Sequence, residues 1–145
     1  MTTRDSSSKW FEPALFQQLP VEECWELLAA KFVGRVGFNG SDGVQVLPVN
    51  YVVHRRSIFF RTAVGSALAD AMRNNRVAFE IDDIDEFLQC GWSVVAVGAA
   101  ELVDDPDLLV ELWGDHDPQP WAVGQRTQFV RITPTRLTGR RVLQG

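Results

Sequence analysis

The sequence is poor in the features that mark several classes of protein. It has only two cysteines, Cys24 and Cys90, in neither a CxxC motif nor at ligand spacing from a histidine. A disulfide framework and a zinc site therefore have no support. No apolar run approaches the roughly 18 residues of a membrane helix, and residues 1–9 lack the apolar stretch of a secretory signal. We expect a cytoplasmic protein with reduced cysteines, no metal site and no membrane partner.

Positive charge is scarce as well. Lys and Arg total 14 against 19 acidic residues, a net charge of -5, so the broad basic field that attracts nucleic acid is missing. A chain of 145 residues that is 46% hydrophobic and 23% charged suits one domain with its own core. We predict a flexible tail over residues 1–12 and a single domain over 13–145, with no nucleic-acid partner.

The hydrophobic pattern predicts a mainly β domain with three short helices. The helices are expected at 20–31, 65–75 and 106–113, where caps, prolines and apolar spacing agree. Strands are expected at 33–38, 44–54, 58–63, 76–84, 91–103, 127–132 and 137–142, the last two side by side. The apolar run 94–100 indicates a central strand buried on both faces. Six or so strands with short connections predict a closed or nearly closed antiparallel barrel with helices outside.

Five segments occur in a specific order: Leu47–Tyr51, Ile58–Ser66, Arg76–Glu80, Gly91–Gly98 and Leu137–Arg141. Together they resemble the pyridoxamine 5'-phosphate oxidase-like flavin-binding split barrels, in the small branch that also resembles the nitroimidazole reductases. The resemblance runs from about Leu19 to Val142. It implies a six-stranded antiparallel split β-barrel of Greek-key type with short flanking helices, and a homodimer that holds FMN at its interface.

The resemblance also implies where the cofactor lies. The flavin ring would lie against the strand of Pro48, Val49, Asn50 and Tyr51, and the phosphate near Arg61, Thr62, Gly65, Ser66 and Ala67. A strand interrupted by proline can present backbone groups to a ring, and a guanidinium with hydroxyls and helix amides suits phosphate. From the residues alone, Pro48 better fits a plain edge strand. Gly65–Ser66 fits a helix cap as well as a phosphate loop.

Two further segments are implied on the cofactor side. Trp92 and Ser93 open the long apolar strand, which in the family reaches the flavin from the partner subunit. Ser93 could hydrogen-bond a ring edge and Trp92 could form a wall. A tryptophan that simply packs at a barrel end is at least as common. Trp121 and Arg126 lie in a loop that resembles the family's C-terminal cofactor-side segment.

Other polar residues receive no functional role from their pattern. The two histidines, His54 and His116, are far apart in sequence, and neither adjoins a triad-like arrangement. We assign them no catalytic role, and no catalytic residue is identified. The acidic run at 82–86 lacks the spacing of a calcium loop, so we interpret it as a solvated turn.

The sequence departs from the family at two positions. Relatives commonly place a lysine or arginine in the first turn after Gly65, whereas here Ala67 stands there, and Arg61 stands where the nitroimidazole reductases carry a histidine. Two functions therefore stay open. One is an FMN-dependent oxidoreductase acting on a small redox substrate, and the other is a non-catalytic binding or sensing module with the same fold. Deazaflavin and haem are alternative cofactors. A true pyridoxamine phosphate oxidase is not expected, because a second basic phosphate cluster is missing.

Overall fold

A computed structural model describes residues 16–114, 116–121 and 124–143 of the chain. Its three helices are α1 (Val21–Ala30), α2 (Ala67–Ala71) and α3 (Pro106–Trp113). Its strands are β1 (Phe16–Gln18), β2 (Val33–Gly40), β3 (Gly43–Asn50), β4 (Val52–His54), β5 (Ser57–Thr62), β6 (Asn75–Asp85), β7 (Cys90–Leu102) and β8 (Gln128–Val142). The expected tail 1–12 lies outside the described residues, so the domain division stays a prediction.

The strands form one antiparallel sheet in the order β3-β2-β6-β7-β8-β5-β4, with β1 added along β8. The long central strand β7 pairs with β6 on one side and β8 on the other. The sheet curls around a core rich in aromatic side chains, including Phe38, Phe60 and Phe79, which α1 closes with Cys24 and Leu28. The predicted split barrel with few helices is confirmed.

The strand count differs from the predicted six or so because β1 was not expected, one break was missed and one false break was expected. The predicted strand 44–54 divides at Tyr51, whose backbone N–H donates to the Phe32 carbonyl at 3.1 Å instead of continuing the ladder. The predicted strands 127–132 and 137–142 are one continuous strand, β8. A register shift opposite Val97 and Gly98 leaves Thr135 as an extra residue, so the strand bends without ending.

Two other expectations were wrong. The helix expected at 65–75 is only α2, because Asn74 adopts a positive φ of 51° and β6 begins at Asn75. Strand β7 is not buried on both faces. Val94 and Ala96 are fully buried inside the barrel, whereas the alternate residues Val95, Val97 and Ala99 stay partly or fully exposed outside it.

The predicted ends of α3 are confirmed. The Asp105 carboxylate accepts from the Asp107 backbone N–H at 3.0 Å, and Pro106 begins the helix. The apolar face of α3 packs on a second, smaller core cluster formed by Phe59, Val103, Leu108, Leu112 and Phe129. This helix therefore covers the outside of β5 and β8 and fixes the chain segment that follows it.

Candidate functional site

A cleft of about 300 Å³ brings together three separated parts of the chain. The end of β3, the end of β5 with its following loop, and the segment between α3 and β8 each contribute to its lining. The lining residues are Leu47, Pro48, Val49, Asn50, Arg61, Thr62, Ala63, Ser66, Leu68, Pro120 and Arg126. Six residues that the sequence proposed for one site therefore do meet: Pro48, Val49, Asn50, Arg61, Thr62 and Ser66.

Pro48 is in an edge strand. It lies opposite Arg35 of β2, and β3 ends the sheet order, so the missing N–H removes no ladder bond on its outer side. The edge-strand interpretation is thus correct, and it is compatible with the ligand interpretation because the same edge lines the cleft. The apolar end of the cleft is formed by Leu47, Pro48 and Val49.

The Arg61 guanidinium is held on several sides. Its Nε donates to the Arg126 carbonyl at 2.7 Å, and its Nη1 lies 3.0 Å from the Asp117 carboxylate. The guanidinium carbon is 4.4 Å from the centre of the Trp113 ring, a cation–π distance. Both side chains of the Arg61–Asp117 pair are only 15% exposed. The Arg61 side chain is therefore largely shielded from solvent, and Asp117 already balances its charge.

The hydroxyls of the cleft are tied into local structure. Ser66 Oγ accepts from the Ala69 backbone N–H at 3.1 Å and lies 3.1 Å from Thr62 Oγ1. Gly65 has a φ of +74°, which suits glycine at the turn that leads to this cap. Gly65 and Ala67 do not line the cleft. The cap interpretation is correct, and the helix that Ser66 caps has only five residues.

A segment over residues 116–121 is attached to the barrel beside the cleft. The Trp121 backbone N–H donates to Asn50 Oδ1 at 2.9 Å, while the Trp121 ring is 75% exposed. Together with the Asp117–Arg61 pair, this bond holds the segment against β3 and β5. The sequence predicted a role for Trp121 but gave no signal for Asp117, which is far from Arg61 along the chain.

Three predicted residues lie elsewhere. The Tyr51 ring is in the main core, where its hydroxyl donates to the Leu28 carbonyl at 2.6 Å and burial raises its pKa. Trp92 packs against the same core, with Lys31 Nζ 5.8 Å from its ring centre. Ser93 lines a larger groove of about 760 Å³ with β1 and β8, and this groove shares no lining residue with the cleft. One chain therefore does not bring Ser93 to Arg61.

The sequence did not predict a contact between the two histidines, His54 and His116. The rings of His54 and His116 stack with centres 4.0 Å apart, and His54 Nε2 lies 2.8 Å from the Glu111 carboxylate. The hydrogen bond with His54, together with the nearby Arg55 and His116, holds the pKa of Glu111 below its ordinary value. The long stretch of chain that separates the histidines left no local signal of this contact. The pair contributes to holding the segment 116–121.

The interpretation of the acidic run at 82–86 as a turn is wrong in part. Its first residues belong to β6 rather than to a turn, and Asp83 forms an ion pair with Lys31 at 2.9 Å. Within residues 16–114, 116–121 and 124–143, no cluster of three or more His, Cys, Asp or Glu side chains could bind a metal ion. No helix in the same ranges has the length and apolar character to cross a membrane.

A family model, two solved structures and one relative each match most of this chain. Residues 20–141 match the family model described as pyridoxamine 5'-phosphate oxidase. An FAD-binding protein of Mycobacterium smegmatis is 36% identical, with a TM-score of 0.73 over 87% of this chain and 98% of that chain. An FAD-binding protein of Mesorhizobium loti is 25% identical, with a TM-score of 0.69 over 89% and 98%. An uncharacterized Mycobacterium tuberculosis protein is 31% identical over 87% of this chain and 85% of its own length.

Proposed function

Because the chain belongs to the pyridoxamine 5'-phosphate oxidase family, we propose that it binds a flavin in the cleft between β3 and β5. The observation that carries this proposal is the division of the cleft into two ends. Leu47, Pro48 and Val49 form an apolar end suited to a ring, and Arg61 and Arg126 bring guanidinium groups to the other. This division matches the two chemically different ends of a flavin nucleotide.

The residues present fit the isoalloxazine and phosphate groups. The exposed edge of β3 offers backbone donors and acceptors to the polar rim of a ring, because no strand in the described part of the chain uses them on that side. Thr62 and Ser66 bring hydroxyls to the cation end. The cleft of about 300 Å³ is at the lower limit for a binding site of one small molecule, so part of the ligand would extend beyond it.

The proposed cofactor is FMN, and FAD is a supported second candidate. Two similar proteins are described as FAD-binding, and FAD contains the same ring and the same first phosphate. The contacts proposed for the cleft serve either molecule. Haem, one of the alternative cofactors, has weaker support, because neither His54 nor His116 lines the cleft.

The site is proposed to be shared between two chains. Ser93 and the Arg61 cleft belong to surfaces without a common residue, so a single flavin could contact both only across a homodimer. The outer face of β7 supports this proposal, since Val95, Val97 and Ala99 leave apolar surface uncovered by any part of the chain that the structure describes. We propose the cytoplasm as the location of this dimer.

The proposed activity is that of an oxidoreductase acting on a small molecule. The flavin, when bound, supplies the electron chemistry, and the protein supplies binding, orientation and polarity around the ring. In this chain Arg61 and Arg126 would hold the charged end, and the edge of β3 would orient the ring. No acid or base side chain is required for this role.

The decisive test compares flavins with and without a phosphate. We expect Arg61→Ala to weaken FMN by roughly tenfold to a hundredfold and riboflavin much less, since a charge-assisted contact contributes about 1.5 to 3 kcal/mol. Binding is measured by quenching of flavin fluorescence in parallel titrations with FMN, FAD and riboflavin. Arg73→Ala is the matched control, because Arg73 is outside the cleft and its side chain is 62% exposed. Equal losses for FMN and riboflavin would contradict phosphate recognition by Arg61.

A non-catalytic module is the second candidate, and the Arg61–Asp117 pair favours it. A guanidinium already balanced by a carboxylate at 3.0 Å attracts a phosphate less strongly, and Ala67 adds no cation. In that case the protein would keep the barrel but bind no flavin tightly. Titration of the purified protein with FMN, FAD and riboflavin separates the two functions. Saturable binding favours the oxidoreductase, and no binding of any flavin favours the module.

A further inference from the structure

The Arg61 guanidinium is neutralised and is also open to the cleft. Arginine has five N–H donors in a planar fork. Nε donates to the Arg126 carbonyl at 2.7 Å and Nη1 donates to Asp117 Oδ1 at 3.0 Å, while Arg61 also lines the cleft. The other three N–H groups form no hydrogen bond within the part of the chain that the structure describes. An anion in the cleft can therefore accept from Arg61 while Asp117 stays bonded to it.

The Asp117 carboxylate is held in place without lining the cleft itself. Its segment, residues 116–121, is anchored by the stack of His116 on His54, with ring centres 4.0 Å apart. Both side chains of the Arg61–Asp117 pair are 15% exposed, so solvent screens their charges poorly. An anion on Arg61 therefore experiences the attraction of the guanidinium together with the repulsion of the carboxylate.

The two candidate flavin nucleotides bring different charges to such a pair. A terminal phosphate monoester, as in FMN, loses its second proton at a pKa of about 6 and carries close to two negative charges at pH 7. Each phosphate of FAD is a diester with one negative charge, and the second phosphate lies further from the flavin ring than the first. Because Coulomb repulsion is proportional to charge, Asp117 opposes the FMN phosphate more than the first FAD phosphate.

We propose that Asp117 is a specificity residue of this cleft, which weakens the binding of a phosphate dianion more than that of a phosphodiester monoanion by opposing the charge of Arg61. The inference rests on the flavin site in the proposed function and assigns to one carboxylate the balance between FMN and FAD. Asp117 acts through Arg61, so it is a positioning residue rather than a catalytic residue. Binding of riboflavin, which has no phosphate, should be indifferent to it.

Other titratable or charged side chains surround the Arg61–Asp117 pair, on the same segment and on the elements packed against it. They are His116 and Arg126 between α3 and β8, His54 and Arg55 in and after β4, and Glu111 of α3. Imidazoles change charge near neutral pH, so the pH profile of one flavin cannot isolate Asp117. FAD provides the reference, because its diesters keep their charge between roughly pH 5.5 and 7.5, whereas the FMN phosphate gains its second charge over this range.

The test measures binding of FMN, FAD and riboflavin to Asp117→Asn by isothermal titration calorimetry at roughly pH 5.5 and 7.5. Asparagine keeps an oxygen acceptor for Arg61 and removes the negative charge. At the higher pH we expect FMN to bind roughly tenfold more tightly than to the wild type, FAD roughly threefold, and riboflavin within about twofold. At the lower pH the FMN gain should fall to about that of FAD, since its phosphate is then largely monoanionic.

The control variants separate charge from shape. Asp117→Glu and Asp117→Gln have the same length and differ in charge, so FMN should bind more tightly to the glutamine variant. Asp42→Asn removes a charge from an exposed residue outside the cleft and should change none of the three affinities. Urea unfolding of every variant checks that the fold is retained.

The outcomes distinguish this inference from the flavin site on which it rests. An FMN gain at the higher pH that does not exceed the FAD gain, or that is the same at both pH values, would overturn the role of Asp117 and leave the flavin site standing. Riboflavin that gains as much as FMN would show a change of shape and would also overturn it. If neither the wild type nor Asp117→Asn binds any flavin, the proposed function is contradicted, and this inference with it.

Discussion

In the cleft the charged side chains are paired, whereas on the outer face of the sheet, across β6, β7 and β8, Arg140 has no partner in the described part of the chain. In the cleft, Arg61 is paired with Asp117 and nearly buried, and Asn50 accepts from the Trp121 backbone. On the outer face, Arg140 has no partner among the described residues, and Glu80 shares one arginine with Asp82. The cleft is therefore organised before any ligand arrives. The outer face lacks that pairing among the residues that the structure describes.

The largest expected difference between the two regions is in folding stability. Arg61→Ala leaves the Asp117 carboxylate without its partner at a site where both side chains are 15% exposed, so we expect a loss of about 2 kcal/mol. Arg136→Ala removes no such pair, and we expect a change within about 0.5 kcal/mol. Urea unfolding at a protein concentration that keeps the chain monomeric measures both. Equal losses would remove the distinction between the two regions.

A smaller effect is expected when a cation is added near the cleft. Ala67→Lys places an ammonium group in the turn after Gly65, and we expect FMN to bind roughly threefold to tenfold more tightly. The gain is modest because Ala67 does not line the cleft and the added charge is solvated. Ala67→Gln is the neutral control of similar length. Tighter riboflavin binding by the same factor would mean that the lysine does not contact a phosphate.

The smallest effect concerns the pH dependence of the outer face. Burial and the adjacent Asp82 raise the pKa of Glu80 from 4.5 to about 7, although Arg35 opposes the shift, so the protonated carboxyl is favoured in the folded chain. Its stabilising contribution is complete below pH 4.5 and is lost as the pH rises through about 7. Glu80→Gln should flatten this part of the profile. Urea midpoints between roughly pH 4 and 8 provide the measurement, with Glu26→Gln on α1 as the control. An unchanged slope would contradict the assignment to Glu80.

Local signals were enough for much of the fold. Asp105 and Pro106 fixed the start of α3, because a cap and a first-turn proline act within a few residues. Pro48 was correctly associated with an edge strand, since a missing N–H is tolerated there. The bend in β8 was missed. It depends on the register against β7, which Thr135 shifts by one residue, and no local pattern reveals a cross-strand register.

The candidate site was predictable only where the family resemblance supplied long-range information. It brought Pro48 and Arg61 to one cleft, although the two are in different strands. It gave no indication of Asp117 or of the stacked His54 and His116. These contacts join residues that are distant in sequence, through a segment without regular structure. A contact between residues so far apart along the chain leaves no local sequence pattern from which it could be predicted.

The central claim is that two chains together hold flavin, and one measurement tests it directly. Purified protein is incubated with excess FMN, passed over a sizing column, and followed by light scattering and by absorbance in the flavin bands. The account predicts a mass twice that of a single chain, with one flavin per chain eluting in the same peak. A species with the mass of one chain and no flavin absorbance, under conditions where FAD also fails to bind, would contradict it.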